Sequence, residues 1–457
     1  TSATFIDYNQ DGFLDIYVGN YVEEEEPLLD SVGTLIGYAS TCFQNFLYVN
    51  DGMGSFTESA AMLGANSAGC ALAVASTDYN NDGTIDLMIA NDFGYWLTPN
   101  ELLDNNLSSF SDVSTSTGAD VGMYGMGIAV GDYDEDLDLD YYATNIGPNV
   151  FLENNLGSFT DIAAAQSMLN DSIAGLLTTG WSAFFFDADN DTYLDLFVAN
   201  GHVPTPPNFD ETYISDPNVL YQNNASFSYS DVSYSANVAD SSMTHGAAYG
   251  DFNNDGLLDF VVANTDTIVA SDFNSKVYMN NSPSQNYLKI ELEGIVSNRD
   301  GFGSKVFCYA GGRAFMREVD GGSGHASHNS SIVHFGLGAI SSIDSIVVRW
   351  PSGIIDVVNA NVNNSIQVIE GIGTELIELE TIIQIYPNPV HDKIYIRSSQ
   401  PVGNCSFEIF SMDGRLVKKW SGSGLSNSFD ISDLEPGNYL LSVNTIKLNS
   451  SLKFIKH

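Results

Sequence analysis

The chain has 457 residues, of which 44% are apolar and 12% aromatic, enough for packed cores and too many for a disordered polypeptide. Lys and Arg number 15 against 58 Asp and Glu, a formal net charge of −43. A surface this negative repels phosphate backbones and anionic lipid head groups, so nucleic-acid binding is excluded as a first reading.

Only 16% of residues are charged, so the imbalance reflects missing cations as much as added acids. The 41 Gly and the abundance of Tyr and Phe point to turns and strands. The longest nearly apolar stretch, 173–186, is too short for a transmembrane helix, and no transmembrane segment is predicted. The chain opens on Thr1 without a signal peptide, which suggests a processed precursor or a fragment. Cys42, Cys70, Cys308 and Cys405 form no CxxC pair. Spacing does not set their pairing, although Cys42–Cys70 is one candidate. Cys308 lies in a strand pattern and is expected to be buried and inert.

An internal repeat organises the first 280 residues: DYNQDGFLD at 7–15, DYNNDGTID at 78–86, DYDEDLDLD at 132–140, DADNDTYLD at 187–195 and DFNNDGLLD at 251–259. Each follows a run of small and apolar residues and precedes a short apolar strand ending in Asn, and further strand signals come after. Four short strands in about 55 residues is the size of one propeller blade, which buries its faces only against neighbouring blades. Two long insertions, 20–44 and 201–217, are expected as loops on one rim.

Within each nine-residue loop, oxygen side chains occupy positions one, three, five and nine, and Gly holds position six in three of the five. Alternate positions of a tight loop can turn inward around one centre, and Gly permits the left-handed turn that wraps the chain round an ion. Oxygen-only, carboxylate-rich coordination suits a hard cation and not zinc. The predicted ligand positions, with the backbone carbonyl at position seven, are Asp7, Asn9, Asp11, Phe13 and Asp15; Asp78, Asn80, Asp82, Thr84 and Asp86; Asp132, Asp134, Asp136, Asp138 and Asp140; Asp187, Asp189, Asp191, Tyr193 and Asp195; and Asp251, Asn253, Asp255, Leu257 and Asp259. Asp and Asn also favour ordinary turns. Five loops in register argue against that reading, and two carboxylates about 4 Å apart repel by roughly 4 kcal/mol at a protein surface. Leu137 and Thr192 stand where Gly is expected, so the third and fourth sites are expected to be weaker or differently shaped.

These repeats resemble the FG-GAP/VCBS units of integrin-alpha-like β-propellers. The resemblance implies Ca²⁺ in the loops, about five sites, and usually seven blades, so N-terminal blade sequence is expected to be missing or to carry no recognisable loop. Segments NRDGFGSKV at 298–306, HFGLG at 334–338 and VRWPSG at 348–353 resemble the ASPIC/UnbV domain, a β-rich module of cartilage-acidic-protein-like proteins. The nearby His325, His328 and His334 read as a Gly/Ser-rich loop followed by a strand, and Arg299–Asp300 as a turn or structural ion pair. His202 and His245 read as packing or rim residues.

At the C-terminus, YPNPV at 386–390, the DG and PG turns and GNYLL at 437–441 mark a small β-sandwich, and eight of the 15 Lys and Arg lie between 393 and 456. This segment resembles the type A sorting domain of the type IX secretion system of Bacteroidetes-like bacteria. The resemblance implies export through that machinery to the medium or the cell surface.

The expected architecture is all-β: propeller blades over 1–285, an ASPIC/UnbV module over 286–371, a linker at 372–383 and a sorting domain over 384–457. No GxSxG, HExxH or P-loop occurs, so the sequence favours binding, with an extracellular glycan or protein as ligand. An extracellular hydrolase or lyase built on the propeller and an architectural matrix protein are the alternatives.

Overall fold

The computed structural model describes all residues except 1, 25, 171, 174–175, 204–215, 266–273, 377–382, 399–403, 412–414, 424–427 and 445–448. Most of the second insertion and half of the linker therefore lie outside the described residues. The chain divides into two compact units, Thr1–Leu376 and Ile377–His457.

In the first unit each repeat folds into its own antiparallel sheet. The first runs Ser2–Ile6, Asp15–Gly19, Phe46–Asn50 and Phe56–Glu58, in that order across the sheet. The second to fourth sheets repeat this order, beginning at Cys70–Thr77, Ile128–Gly131 and Gly180–Phe186. The fifth has three described strands, Met243–Gly250, Asp259–Thr265 and Lys276–Tyr278.

The apolar cores lie between successive sheets. Tyr17 and Leu47 pack with Leu87 and Ile89; Met88 and Leu102 with Tyr141 and Leu152; Tyr142 and Phe151 with Leu196 and Val198; Phe184 and Phe197 with Phe260 and Val262. Because each face is covered only by the neighbouring sheet, no blade is stable alone, and the fold is all-β and propeller-like. Inner strands converge most closely, which is why they carry small residues such as Ala71, Ala73, Ala75 and Ala129, all buried.

Two sets of Asn fasten the repeat. Asn105, Asn154, Asn223 and Asn280 lie at or near the ends of the third strands, and their Nδ2 groups donate to the carbonyls of Tyr8, Tyr79, Tyr133 and Ala188, the second residue of the preceding loop, at 2.8, 2.8, 3.2 and 2.6 Å. The Asn ending the second strand closes the root of the loop that follows. Asn20, Asn91, Asn145 and Asn200 donate Nδ2 to Gln44, Pro99, Pro148 and Pro217 carbonyls, while their N–H groups reach Oδ1 of Asn45, Asn100, Asn149 and Asn218. Cys42 and Cys70 are joined, tying the first insertion to the second sheet.

Residues 286–376 form a sandwich of two four-stranded sheets. One orders Val333–Gly338, Asn286–Glu293, Asn364–Ile369 and Gly373–Leu376, and the other Arg313–Glu318, Lys305–Ala310, Ile343–Arg349 and Ile355–Val358. Leu288, Ile290, Val306, Phe315, Phe335 and Trp350 fill it, together with Cys308, whose thiol burial pushes up to about 12.

The Gly/Ser/His segment 320–332 leaves this sandwich and runs along the inner strands. Phe5 N–H donates to Gly321 O (3.1 Å), Gly324 N–H to Ile128 O (2.8 Å) and Ser330 N–H to Tyr249 O (3.0 Å), and Ser327 meets Ser182 at 2.9 Å. Of its histidines, His325 meets Met126 O through Nδ1; His245, in the first strand of the fifth sheet, lies against the Trp181 ring. His334 sits in the following strand, and Arg299 is exposed on a turn, 3.8 Å from Glu293.

The second unit has two sheets of its own, Ile383–Tyr386, Lys393–Ser398 and Ser428–Asp430 against Leu416–Ser423, Asn404–Ser411, Gly437–Asn444 and Asn449–Lys456. Ile394, Phe407, Ile409 and Phe454 lie in the core between them.

Replacing Asn154 with Ala leaves the buried carbonyls of Tyr79 and Leu139 without their donor. The expected loss is about 1–3 kcal/mol, to be read from urea denaturation of the full chain; an unchanged midpoint would refute the clamp.

Candidate metal centre

All five acidic loops join an inner strand to the second strand of its sheet, so one frame shapes them. The N–H of position seven, in Phe13, Thr84, Asp138, Tyr193 and Leu257, donates to Oδ1 of the position-five Asp at 2.8–2.9 Å. The position-nine Asp accepts the N–H of the Asn ending the third strand: Asn50, Asn105, Asn154, Asn223 and Asn280, at 2.7–2.8 Å. In four loops the position-one Asp also accepts the N–H groups of positions five and six.

Position six is left-handed throughout, with φ of 87° and 88° at Gly12 and Gly83, 72° at Leu137, 93° at Thr192 and 88° at Gly256. Position four is left-handed as well, at Gln10, Asn81, Glu135, Asn190 and Asn254, which the sequence reading did not anticipate. Its side chain links successive loops: Gln10, Asn81 and Asn190 donate to the position-six carbonyls of Gly83, Leu137 and Gly256.

The third and fourth loops depart from Gly because the sandwich touches them there. Leu137 packs with Leu139, Phe307 and Met316, so apolar contact offsets the strained backbone. Thr192 Oγ1 accepts a hydrogen bond from Arg313 at 3.0 Å, and the same guanidinium pairs with Glu135 and lies over the Tyr193 ring. Glu135 is an acceptor where the other loops carry a donor, and Arg313 restores the link to the next loop.

These two loops are also where three carboxylates converge. Asp132, Asp134 and Asp136 in one, and Asp187, Asp189 and Asp195 in the other, place oxygens within 4.8 Å of one another. Both oxygens of Asp132, Oδ1 of Asp189 and Oδ2 of Asp86 are buried without a hydrogen-bond partner. Oxygen-only groups left unsatisfied in this way fit a hard cation. In the first, second and fifth loops, Asn9, Asn80 and Asn253 turn Nδ2 onto the position-five carboxylate, and no trio of acids converges as closely among the described residues. Asp138 is occupied elsewhere, accepting Asn81 Nδ2 (2.7 Å) and Leu156 N–H (2.8 Å).

Burial dominates the electrostatics. It pushes Asp132 and Asp187 up to about 8, Asp15 to about 7, and Asp7, Asp134 and Asp191 to about 6, with neighbouring carboxylates adding to the effect. Asp86, Asp140 and Asp195 are raised well above the ordinary range for the same reason.

Residues 1–275 contain no Lys or Arg. The cations that reach four of the loops come from the sandwich: Lys289 Nζ lies 2.7 Å from Asp251, Lys305 Nζ 3.1 Å from Asp78, Arg313 on Glu135, and Arg317 where its charge draws Asp132 and Asp187 downward. A cavity of about 70 Å³ beside Asp132 and Asp187 is lined also by Arg317, Glu318 and Asp320.

Residues 7–89 and 78–143 match the family model for FG-GAP-like repeats, 294–375 that for ASPIC and UnbV, and 384–457 that for the secretion system C-terminal sorting domain. The chain thus combines these three kinds of module. The sorting domain marks a secreted or cell-surface protein of a Bacteroidetes-like bacterium, handled by type IX secretion machinery. No helix among the described residues is long and apolar enough to cross a membrane.

Cartilage acidic protein 1 of Xenopus tropicalis is 26% identical over 309 residues, covering 65% of this chain and 44% of that protein, so the chain spans less than half of that relative. An Agrocybe aegerita lectin recognising non-reducing terminal N-acetylglucosamine aligns at TM-score 0.31 and 13% identity, over 73% of this chain and 95% of its own. A tetra-tandem repeat from the extending region of a large adhesion protein aligns at 0.14 and 9%, over 100% and 98%. At these scores neither likeness carries an argument.

A carboxyl raised in the folded state holds its proton there after the unfolded chain has lost it, so metal-free stability falls as pH rises from about 4 to 8. A cation held by these carboxylates would take the place of those protons. Calcium should therefore raise Tm little at pH 5 and strongly at pH 8; melts in EDTA and in calcium at both values check this, and a pH-independent shift would contradict it.

Proposed function

We propose that the chain is an extracellular binding protein: a calcium-stabilised propeller whose rim, with insertions 20–44 and 201–217, recognises a glycan or protein outside the cell. The observation that carries the calcium assignment is the converging carboxylates of the third and fourth loops, with buried oxygens left unsatisfied. Positions one, three, five, seven and nine of each loop supply the ligands, about five ions in all. Calcium supplies charge neutralisation and holds each loop closed.

Extracellular calcium modules have Kd values of about 0.1–1 mM. At ten times Kd one site contributes about 1.4 kcal/mol, and five contribute about 7, comparable to the net stability of a domain. The rim reading rests on the loop roots, where the Asn20 and Asn200 N–H groups donate to Oδ1 of Asn45 and Asn218 and close both insertions onto their sheets. Residues 384–457 address the chain to the secretion machinery.

Native mass spectrometry of the full chain should count about five calcium ions, with a large rise in Tm on calcium addition. Deleting 23–40 together with 204–215 should abolish binding to the target surface and move Tm little. Retained binding would refute the rim assignment, and turnover lost on changing a single loop would favour a catalytic metal instead.

A further inference from the structure

The second strand of the second sheet ends at Asp92, and the chain then makes an unusual turn. Phe93 is buried yet left-handed, with φ of 59°, a conformation strained for a bulky residue. The N–H groups of Trp96 and Leu97 both donate to its carbonyl. Gly94 N–H donates to Met123 O at 2.7 Å, and a Cβ at Gly94 would lie 2.8 Å from that oxygen, so only Gly lets the turn rest on the segment entering the third sheet. The strain and the close approach hold two large side chains outward: Tyr95 is 53% exposed and Trp96 43%.

These rings are braced from both sides. Trp96 Nε1 donates to Tyr124 Oη at 3.0 Å, and the Tyr95 and Tyr124 rings meet edge-on, 5.4 Å apart. The hairpin of the first insertion, Pro27–Leu29 paired with Leu35–Tyr38, runs beside the Trp96 ring: a Cβ added at Gly37 would lie 3.9 Å from Trp96 Cε3. Immediately before that hairpin, Glu23, Glu24 and Glu26 are exposed.

The combination selects an occupant by charge. Aromatic faces carry negative potential, the adjoining insertion is acidic, and residues 1–275 contain no Lys or Arg. Anionic ligands are repelled. The molecule itself shows what such a setting receives, since Arg313 lies over the Tyr193 ring at 4.7 Å while pairing with Glu135. We propose that the Tyr95–Trp96–Tyr124 platform, with the acidic hairpin beside it, docks an arginine-bearing segment of another protein. This rests on the reading of the rim as a binding surface and names the class of partner.

The test is fluorescence anisotropy of a labelled twelve-residue Arg-Gly peptide titrated with the full chain in 1 mM calcium, beside a Gly-Ser peptide and a neutral hexasaccharide. Trp96→Ala and Tyr95→Ala leave the charge unchanged and should each weaken the Arg-Gly peptide roughly tenfold, with Trp96→Phe retaining most of the affinity and Tm unaltered in all three. Replacing Glu23, Glu24 and Glu26 with Gln should weaken binding further and flatten its salt dependence. Equal affinity in wild type, W96A and Y95A would reduce the effect to bulk charge and overturn the proposal, as would Trp96-dependent binding of the hexasaccharide in place of the peptide. If the peptide fails to bind while the double deletion still abolishes surface binding, the platform assignment falls and the rim reading stands. If that deletion leaves surface binding intact, the rim reading falls on its own evidence.

Discussion

Uncompensated negative charge is the constraint on which the first unit depends. Five loops gather carboxylates at the ends of the inner strands, and the first 275 residues provide no Lys or Arg to balance them. Hydrogen bonds from loop N–H groups take part of the burden, and Lys289, Lys305, Arg313 and Arg317 of the sandwich take another. The sandwich is therefore part of the electrostatic completion of the propeller, which agrees with the two forming one compact unit. Among the described residues, the loop carboxylate oxygens still buried without a partner lie in the second, third and fourth loops.

Much of this was legible in the repeat. Spacing gave the loops their positions, Gly12, Gly83 and Gly256 marked the left-handed turn, and the small-residue runs marked the inner strands. Leu137 and Thr192 read as marks of weaker or differently shaped sites, and what offsets their strained backbone was not legible because the sequence does not show what lies against them. The sandwich supplies that context, so both residues keep the turn and hold the most closely gathered acids. Position four escaped notice because Gln, Asn and Glu there look like ordinary turn residues; their role is to reach the next loop, which no single repeat reveals.

The Asn ending each third strand was likewise visible but unread. In the second to fifth sheets it serves two blades at once, its N–H on its own loop and its amide on the preceding one, so its function exists only where successive blades are stacked. The segment 320–332 is a similar case. Its Gly, Ser and His content read correctly as a loop, but the place of that loop among inner strands of the first, third, fourth and fifth sheets depends on contacts across some 300 residues of sequence. Local pattern identifies elements well and long-range partners poorly, because partners are chosen by the packing of elements already formed.

The Asn pairs at the roots of the rim loops have an evolutionary consequence. Where Asn20 meets Asn45, or Asn200 meets Asn218, the two ends of the excursion are bonded to each other, so the sheet is insulated from whatever lies between. Adding residues there changes closure entropy only logarithmically, by about 0.6 kcal/mol per doubling of length. The second and third sheets have the same clamp with short connections, Asn91 with Asn100 and Asn145 with Asn149. The scaffold thus offers interchangeable sockets: a lineage could exchange or lengthen these loops to meet new surfaces while the blades, their cores and their acidic loops remain as they are.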